Sequence, residues 1–342
     1  MEKISSIERI RAAIHHSAKL DRIPVIPMMR LASIKLAGYR LGETFENWEN
    51  VAEAEMRAWR CFGYDGVFAR MPFDVDVAAL GGNLIYTEDN PPNVGPPYLV
   101  GSVDDIDKIK EPDLETCLGM QKERALAKNL VEQLGDGTPV IGYCQGPLRF
   151  ASYLRGLQAF MEDLYEKNEL VFKLLDLVTH VSALRAHYLI ESGVRMIEIG
   201  DPVASGDLIS PQFYETFAYE WQKALIDRIH AMGDVYVILH ICGNTSNILS
   251  KMAETGADVL SLDSKVDLGF ARSVLGDHVT LMGNVDPVHT LTFASPEHVR
   301  LEALECIRKA GPGGLILSSG CALGRDTPSE NIAALVNAAK EI

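Results

Sequence analysis

The strongest constraint on this chain is a regular alternation along its length. Short apolar, β-branched runs bounded by turn residues alternate with long helical patterns, which predicts βα units around a parallel sheet. The runs fall at 23–28, 64–70, 139–144, 194–200, 235–240, 258–263, 279–283 and 314–319. Eight buried strands, each followed by a helix, is the count that closes a (β/α)8 (TIM) barrel, and 342 residues suit one with insertions. The expected fold is therefore an α/β barrel, one domain over 1–342, with an N-terminal helical extension and an insertion on its active face. A doubly wound open sheet is the competing architecture. It requires a glycine-rich turn after the first strand, and the segment MRLASIKLAG contains no G-x-G-x-x-G. Segment 86–98, YTEDNPPNVGPPY, is rich in Pro, Asn and Gly and reads as the insertion, with a hairpin expected there. Helical patterns cover 159–191, 210–232 and 246–255. Pro211, Pro296 and Pro328 each follow a Ser or Thr at a first-turn position, and Thr327 to Glu330 has capping-box spacing.

Charge narrows the function classes. With 32 basic against 47 acidic residues the formal charge is −15, which argues against a nucleic-acid or anionic-membrane binder, because both need a basic face. A local basic pocket can still hold an anionic substrate. No apolar run approaches the ~20 residues of a spanning helix. The opening MEKISSIERIRAAIHHSAKL lacks the apolar centre and cleavage site of a signal peptide, and reads as an amphipathic helix of a cytoplasmic protein. The six cysteines are widely and irregularly spaced, which fits a reducing compartment better than a disulfide framework. Cys61, Cys117 and Cys306 are expected to pack as small apolar residues. Cys242 and Cys321 stand at strand ends and invite a different reading.

In a barrel of this kind the C-terminal strand ends carry the chemistry. The residues at and just beyond the proposed strand ends are Arg70 to Asp76, Gly142 to Pro147, Glu198 to Pro202, His240 to Asn244, Asp263, Gly283 to Pro287, and Ser319 to Cys321. Titratable and soft metal-ligating residues collect where a site would be built, which points to an enzyme. His240 and Cys242 are two apart on an extended segment, so their side chains leave the same face. An imidazole and a thiolate suit tetrahedral zinc, whose catalytic sites use three protein ligands and one open position. Cys321, at the last strand end, is the candidate third ligand. The spacing alone equally describes a buried histidine with a cysteine nearby.

The strings Leu239-His240-Ile241-Cys242-Gly243, Gly200-Asp201-Pro202-Val203-Ala204-Ser205 and Gly320-Cys321, with Thr327-Pro328-Ser329-Glu330-Asn331-Ile332, resemble the uroporphyrinogen-decarboxylase-like superfamily. They look most like its zinc methyltransferases, which move a methyl group between a corrinoid protein and the thiol of coenzyme M. The resemblance covers nearly the whole chain and implies a (β/α)8 barrel with zinc held by His240, Cys242 and Cys321. It also implies that methylcobalamin arrives on a partner protein, since no D-x-H-x-x-G cobalamin motif occurs here. The acceptor is then a small thiol or, in the reverse sense, a methylated small molecule supplies the methyl group. The decarboxylase branch competes. Gly283-Asn284-Val285-Asp286-Pro287 resembles its Gly-Asn-Leu-Asp-Pro segment, and Pro24-Val25 through Met29-Arg30 resembles its N-terminal motif. That motif continues to a second arginine where this chain has Ile34. Losing one arginine from a site that binds many carboxylates is a serious departure.

Further residues near the strand ends have candidate roles, of which those of Asp263 and Tyr153 also draw on the resemblance. Asp263 ends the next strand and is expected as a fourth, displaceable oxygen ligand with a catalytic part. Asp201 is expected to orient His240 by accepting its second N–H, or else to serve a turn or helix cap. Asn284 either binds substrate or stabilises its turn. Tyr153 corresponds to a site tyrosine of the decarboxylases or is a core tyrosine. Arg30 and Arg70 are the candidates for an anionic head group, with surface ion pairs as the alternative.

Overall fold

A seven-stranded parallel sheet organises the computed structural model, which describes residues 4–17, 20–87, 90–113, 115–166, 169–311 and 313–341. Its strands are Val67–Phe68, Val140–Gln145, Met196–Gly200, Tyr236–Ile241, Val259–Leu262, Thr280–Val285 and Leu315–Ser319, and their spatial order is their chain order. The expected first strand is reduced to a bridge. Val25 pairs in parallel with Leu317; Ile26 N donates to Leu317 O at 2.9 Å and Leu317 N donates to Pro24 O at 2.8 Å. On the other side Asp65 N donates to the Val25 carbonyl at 2.8 Å. The segment thus spans the gap between the last and first strands and closes the ring. Pro24 and Pro27 have no N–H, so the ladder cannot extend along it.

Alternation along the strands sorts the barrel interior into two levels. Phe68, Ile141, Met196, Ile238, Val259, Met282 and Ile316, one per strand, form a buried apolar cluster. Two residues further on, the same face of each strand carries Arg70, Tyr143, Glu198, His240, Ser261, Asn284 and Ser318. The interior is therefore apolar below and polar at the mouth. Ile10 and Ala13 of the helix Ser6–Ile14 join the apolar cluster and plug its lower end. A capping box between Ser5 and Glu8 starts that helix, which is the expected N-terminal extension.

The outer helices bury a second apolar layer against the sheet. Helical pattern 159–191 divides into Leu157–Glu166 and Glu169–Glu191, with 167–168 outside the described residues. Pattern 210–232 holds a π-helical stretch, Tyr214–Tyr219, between Pro211–Phe213 and Glu220–His230, and 246–255 shortens to Leu249–Glu254. Ser210 and Ser295 cap their helices ahead of Pro211 and Pro296 as expected. Thr327 does not cap. Pro328, in extended conformation, takes the N-cap position of Ser329–Ala338, and the Thr327 hydroxyl pairs with Thr292 at 3.2 Å instead. The insertion is a hairpin, Leu84–Ile85 paired antiparallel with Asn93–Val94; residues 88 and 89 of its turn lie outside the described residues. Cys306 is buried as expected, but Cys61 is exposed and Cys117 half-buried. Cys61 lies outside the apolar stripe of the helix Trp48–Phe62, and Cys117 stands at a helix N-cap rather than inside one. All six cysteines are free thiols. Among the described residues no helix is long and apolar enough to cross a membrane.

Candidate active site

At the mouth of the barrel the structure brings together His240, Cys242 and Cys321, whose ligand atoms all lie within 4.8 Å of one another. His240 Nε2 is 3.0 Å from Cys242 Sγ, which is 3.3 Å from Cys321 Sγ. The sulfur separation is far beyond the ~2.05 Å of a disulfide. It is also within about half an ångström of the ~3.5–3.8 Å ligand edges that tetrahedral zinc bond lengths require. Two glycines shape the approach. Gly243 turns the chain just after Cys242 with φ +83, and a Cβ there would come within 2.5 Å of Ser205 Oγ; one on Gly320, just before Cys321, would meet the Ser264 backbone N at 2.5 Å. The two sulfurs are close enough to hydrogen-bond to one another. Contact between the two sulfurs lowers the pKa of one thiol, Cys321, which His240 lowers further, and raises that of the other, Cys242, which burial raises further. Burial works to lower the His240 pKa, but contact with Cys321 and the Glu198 charge together raise it. An imidazole beside a paired thiol and thiolate is a donor set that fits a borderline-soft divalent ion.

The second nitrogen of His240 is held by a residue not expected in the role. His240 Nδ1 lies 2.9 Å from Ser261 Oγ, and the two are register partners on adjacent strands. Asp201 does not reach the ring. Its carboxylate accepts from Leu148 N at 3.3 Å, Arg149 N at 2.8 Å and Gln222 Nε2 at 2.9 Å, so it anchors the start of the helix Pro147–Arg155. Asp263 is not in the ligand cluster either. Its oxygens accept from Gly243 N at 2.9 Å and Lys265 N at 3.0 Å, which fixes the turn after Cys242. Asn284 spends both amide protons on the Asp263 and Val266 carbonyls, at 2.9 and 2.6 Å, and so holds its own turn.

Beside the triad opens a cavity of about 290 Å³, lined by Ala322 and Leu323 directly after Cys321 and by Arg30, Arg70, Arg149 and Tyr153. Arg30 starts the helix Leu31–Ala37 at φ +41, a backbone conformation costly for a side chain this large and one that clusters at functional sites. One of its Nη atoms donates to Glu198 Oε1 at 2.7 Å; Glu198 is completely buried in the barrel wall. The guanidinium carbon of Arg70 lies over the Tyr143 ring, 3.4 Å from its centroid, and one Nη is 3.5 Å from Asp74 Oδ1. Burial, and then the neighbouring Arg30, lowers its pKa. Arg149 donates to the Tyr143 hydroxyl at 3.0 Å and to the Tyr153 hydroxyl at 2.7 Å; burial raises the Tyr153 phenol to about 12. Arg30 Nε and Arg70 Nη1 are buried without a hydrogen-bond partner. Two unsatisfied guanidinium N–H groups beside a cavity have donor capacity of the kind that suits an anion.

Sequence reasoning located the triad, Arg30, Arg70 and Tyr153; it placed Tyr143 and Glu198 at strand ends without a role and missed Ser261 and Arg149. Glu198 carried a readable signal, an acid two residues before Gly200 within the apolar run MIEIG.

Known proteins of similar sequence and structure point the same way. The uroporphyrinogen decarboxylase (URO-D) family model matches residues 5–342. The methylcobamide:CoM methyltransferase MtbA of Methanosarcina acetivorans is 33% identical over 99% of both chains. The uroporphyrinogen decarboxylase of Trichodesmium erythraeum is 30% identical over 94% of this chain and 93% of its own. Among solved structures, a methyltransferase from Methanosarcina mazei superposes with a TM-score of 0.89 at 28% identity, covering 99% of each chain. The chain belongs to the uroporphyrinogen decarboxylase family.

Proposed function

We propose that this protein transfers a methyl group between a corrinoid carried on a partner protein and a small anionic thiol, at a zinc site formed by His240, Cys242 and Cys321. The observation that carries the reading is the adjacency of two features: a His-Cys-Cys triad and a cavity with unsatisfied arginine N–H groups. Zinc, when bound, supplies a Lewis acid that keeps the substrate sulfur deprotonated near neutral pH. The chain's own residues do the rest. Ser261 fixes the tautomer and tilt of His240. Asp263 holds the Cys242 turn through Gly243 N. Arg30 and Arg70 take the anionic end of the thiol, and Glu198 keeps Arg30 in place. Leu323, Ile34 and Val51 supply apolar wall that excludes water. The relatives named as methylcobamide:CoM methyltransferases support the same chemistry. A cytoplasmic setting accompanies the reading, since two free sulfur ligands need reducing conditions.

The second reading, uroporphyrinogen decarboxylase, is favoured by relatives of that name. Against it, Ile34 lines the cavity in place of the second arginine, and that chemistry gives the triad no task. One anaerobic experiment separates the two. Protein mixed with methylcobalamin and 2-mercaptoethanesulfonate should generate cob(I)alamin, read by its absorbance, and the rate should collapse in His240→Ala. Zinc should be stoichiometric in the wild type and lost in Cys242→Ala and Cys321→Ala. No methyl exchange in either direction with any thiol, even with a cognate corrinoid protein, refutes the reading. Coproporphyrinogen formation that persists after zinc removal would move the chain to the decarboxylase branch.

A further inference from the structure

Glu55 lines the same cavity as Arg30 and Arg70 but has no part in the proposed methyl transfer. It sits within the helix Trp48–Phe62 and is 4% exposed. The Ser33 hydroxyl lies 2.6 Å from Glu55 Oε1 and 2.6 Å from the Arg30 carbonyl oxygen. A hydroxyl has one proton to give, and a carbonyl only accepts. Ser33 either shares its one proton between the two acceptors or donates it to Arg30 and accepts from a protonated Glu55, and only the second arrangement gives two full hydrogen bonds. Burial acts in the same direction and raises the Glu55 carboxyl to about 7, against Ser33 and Arg30. The other oxygen, Oε2, is buried with no partner. Buried polar atoms are almost always satisfied; the neighbouring donors, Arg30 Nε and the Tyr64 hydroxyl, do not reach Oε2 and are themselves without a partner, and Ile34, Val51 and Leu323 of the cavity wall have nothing to donate.

We propose that Glu55 is a specificity-determining residue whose Oε2 accepts a hydrogen bond from a hydroxyl or ammonium group on the substrate, next to the anionic group held by Arg30 and Arg70. The two recognition points are close, because Ser33 ties the Glu55 carboxyl to the Arg30 backbone. The substrate class narrows to thiol acids with a hydrogen-bond donor beside the acid group. Space permits it: 290 Å³ is the share of about ten waters at ~30 Å³ each, more than a two-carbon thiol fills. The inference rests on the proposed function for the identity of the sulfur end.

The test is a matched series bound to zinc-reconstituted protein and followed by titration calorimetry. 4-Mercaptobutyrate, 2-hydroxy-4-mercaptobutyrate and L-homocysteine differ only at the carbon beside the carboxylate, which bears hydrogen, hydroxyl or ammonium. At least one donor-bearing probe should bind about tenfold or more tightly than 4-mercaptobutyrate, and which one does so tells hydroxyl from ammonium. In Glu55→Leu that ratio should fall to near one. In Glu55→Gln it should survive for the hydroxyl probe, since an amide can donate to Ser33 and still present an oxygen to the cavity. Thermal melts by circular dichroism check that both variants are folded. A wild-type ratio near one, a ratio that persists in Glu55→Leu, or no binding of any probe overturns the proposal. Failure of the methyltransferase reading would show separately, as absent methyl exchange, because the binding ratio is measured without turnover.

Discussion

Replacing Ser261 with alanine removes one oxygen from the barrel interior and leaves the three proposed zinc ligands untouched. Ser261 is completely buried, and its hydroxyl lies 2.9 Å from His240 Nδ1. Because His240 Nε2 faces Cys242 at 3.0 Å, Nε2 is the nitrogen turned toward the metal position, which leaves Nδ1 to carry the proton that Ser261 accepts. In Ser261→Ala that N–H is left without its partner on a side chain only 4% exposed. A buried donor stripped of its partner costs ~1–3 kcal/mol. Loss of such an orienting partner lowers metal affinity by roughly 10–100-fold, equivalent to ~1.4–2.7 kcal/mol. Competition with a chromophoric zinc chelator measures the affinity directly, and urea unfolding of the metal-free protein reads the part of the cost that falls on stability. Ser261→Thr retains the hydroxyl and should recover most of the zinc affinity, which a loss due to packing alone would not. If Ser261→Ala binds zinc as tightly as the wild type while His240→Ala does not, Ser261 does not position the ring and the reasoning fails.

Glu55 gives stability a pH dependence of defined sign. Its folded value of about 7 lies above the ordinary 4.5, so its contribution is fully present below pH 4.5 and is lost as pH rises through 7. That gap corresponds to roughly 3 kcal/mol. The charged or titratable groups acting on it are Arg30 and Tyr64, neither of which changes charge between pH 5 and 8. Denaturant unfolding at pH 5 and pH 8 should show the wild type losing stability relative to Glu55→Gln, and parallel curves would refute the assignment. Arg185 is 2% exposed, paired with Glu123 at 2.7 and 2.8 Å and with Asp76 at 2.8 Å. Arg185→Met should cost about 3–5 kcal/mol in urea unfolding, because two carboxylates are left buried and unpaired; a cost under about 1 kcal/mol would mean that water reaches them.

The barrel was legible because its strands are buried on both faces, so apolar runs mark them directly, and closure follows from counting. What counting could not see was that two prolines reduce the first strand to a bridge at Val25. The triad was legible for a related reason. Inside a strand the two-residue period fixes direction, so His240 must point where Ile238 points, into the barrel. The meeting with Cys321, 79 residues after Cys242, needed the ring to be closed; its strand-end position nominated it and the resemblance strengthened the assignment. Asp201 and Asp263 show where the rule stops. Each stands one residue past the end of its strand, where the period no longer sets direction, and each turned to backbone N–H groups instead of the metal position. Glu198 was within reach of the rule and stood among the strand-end residues, but nothing in the linear spacing told its role from that of a wall residue, because its partner Arg30 lies 168 residues away. Glu55 obeys the helical counterpart. Ala52, Glu55 and Phe62 are buried and Trp59 is half-buried, at the three- and four-residue spacings of one helix face, whereas Glu53 points to solvent. An acid in phase with an apolar stripe is costly wherever it is buried, so its presence in phase is the sign to look for a cavity on that side. By that criterion both Glu198 and Glu55 could have been nominated from the sequence, one from a period of two and the other from a period of 3.6.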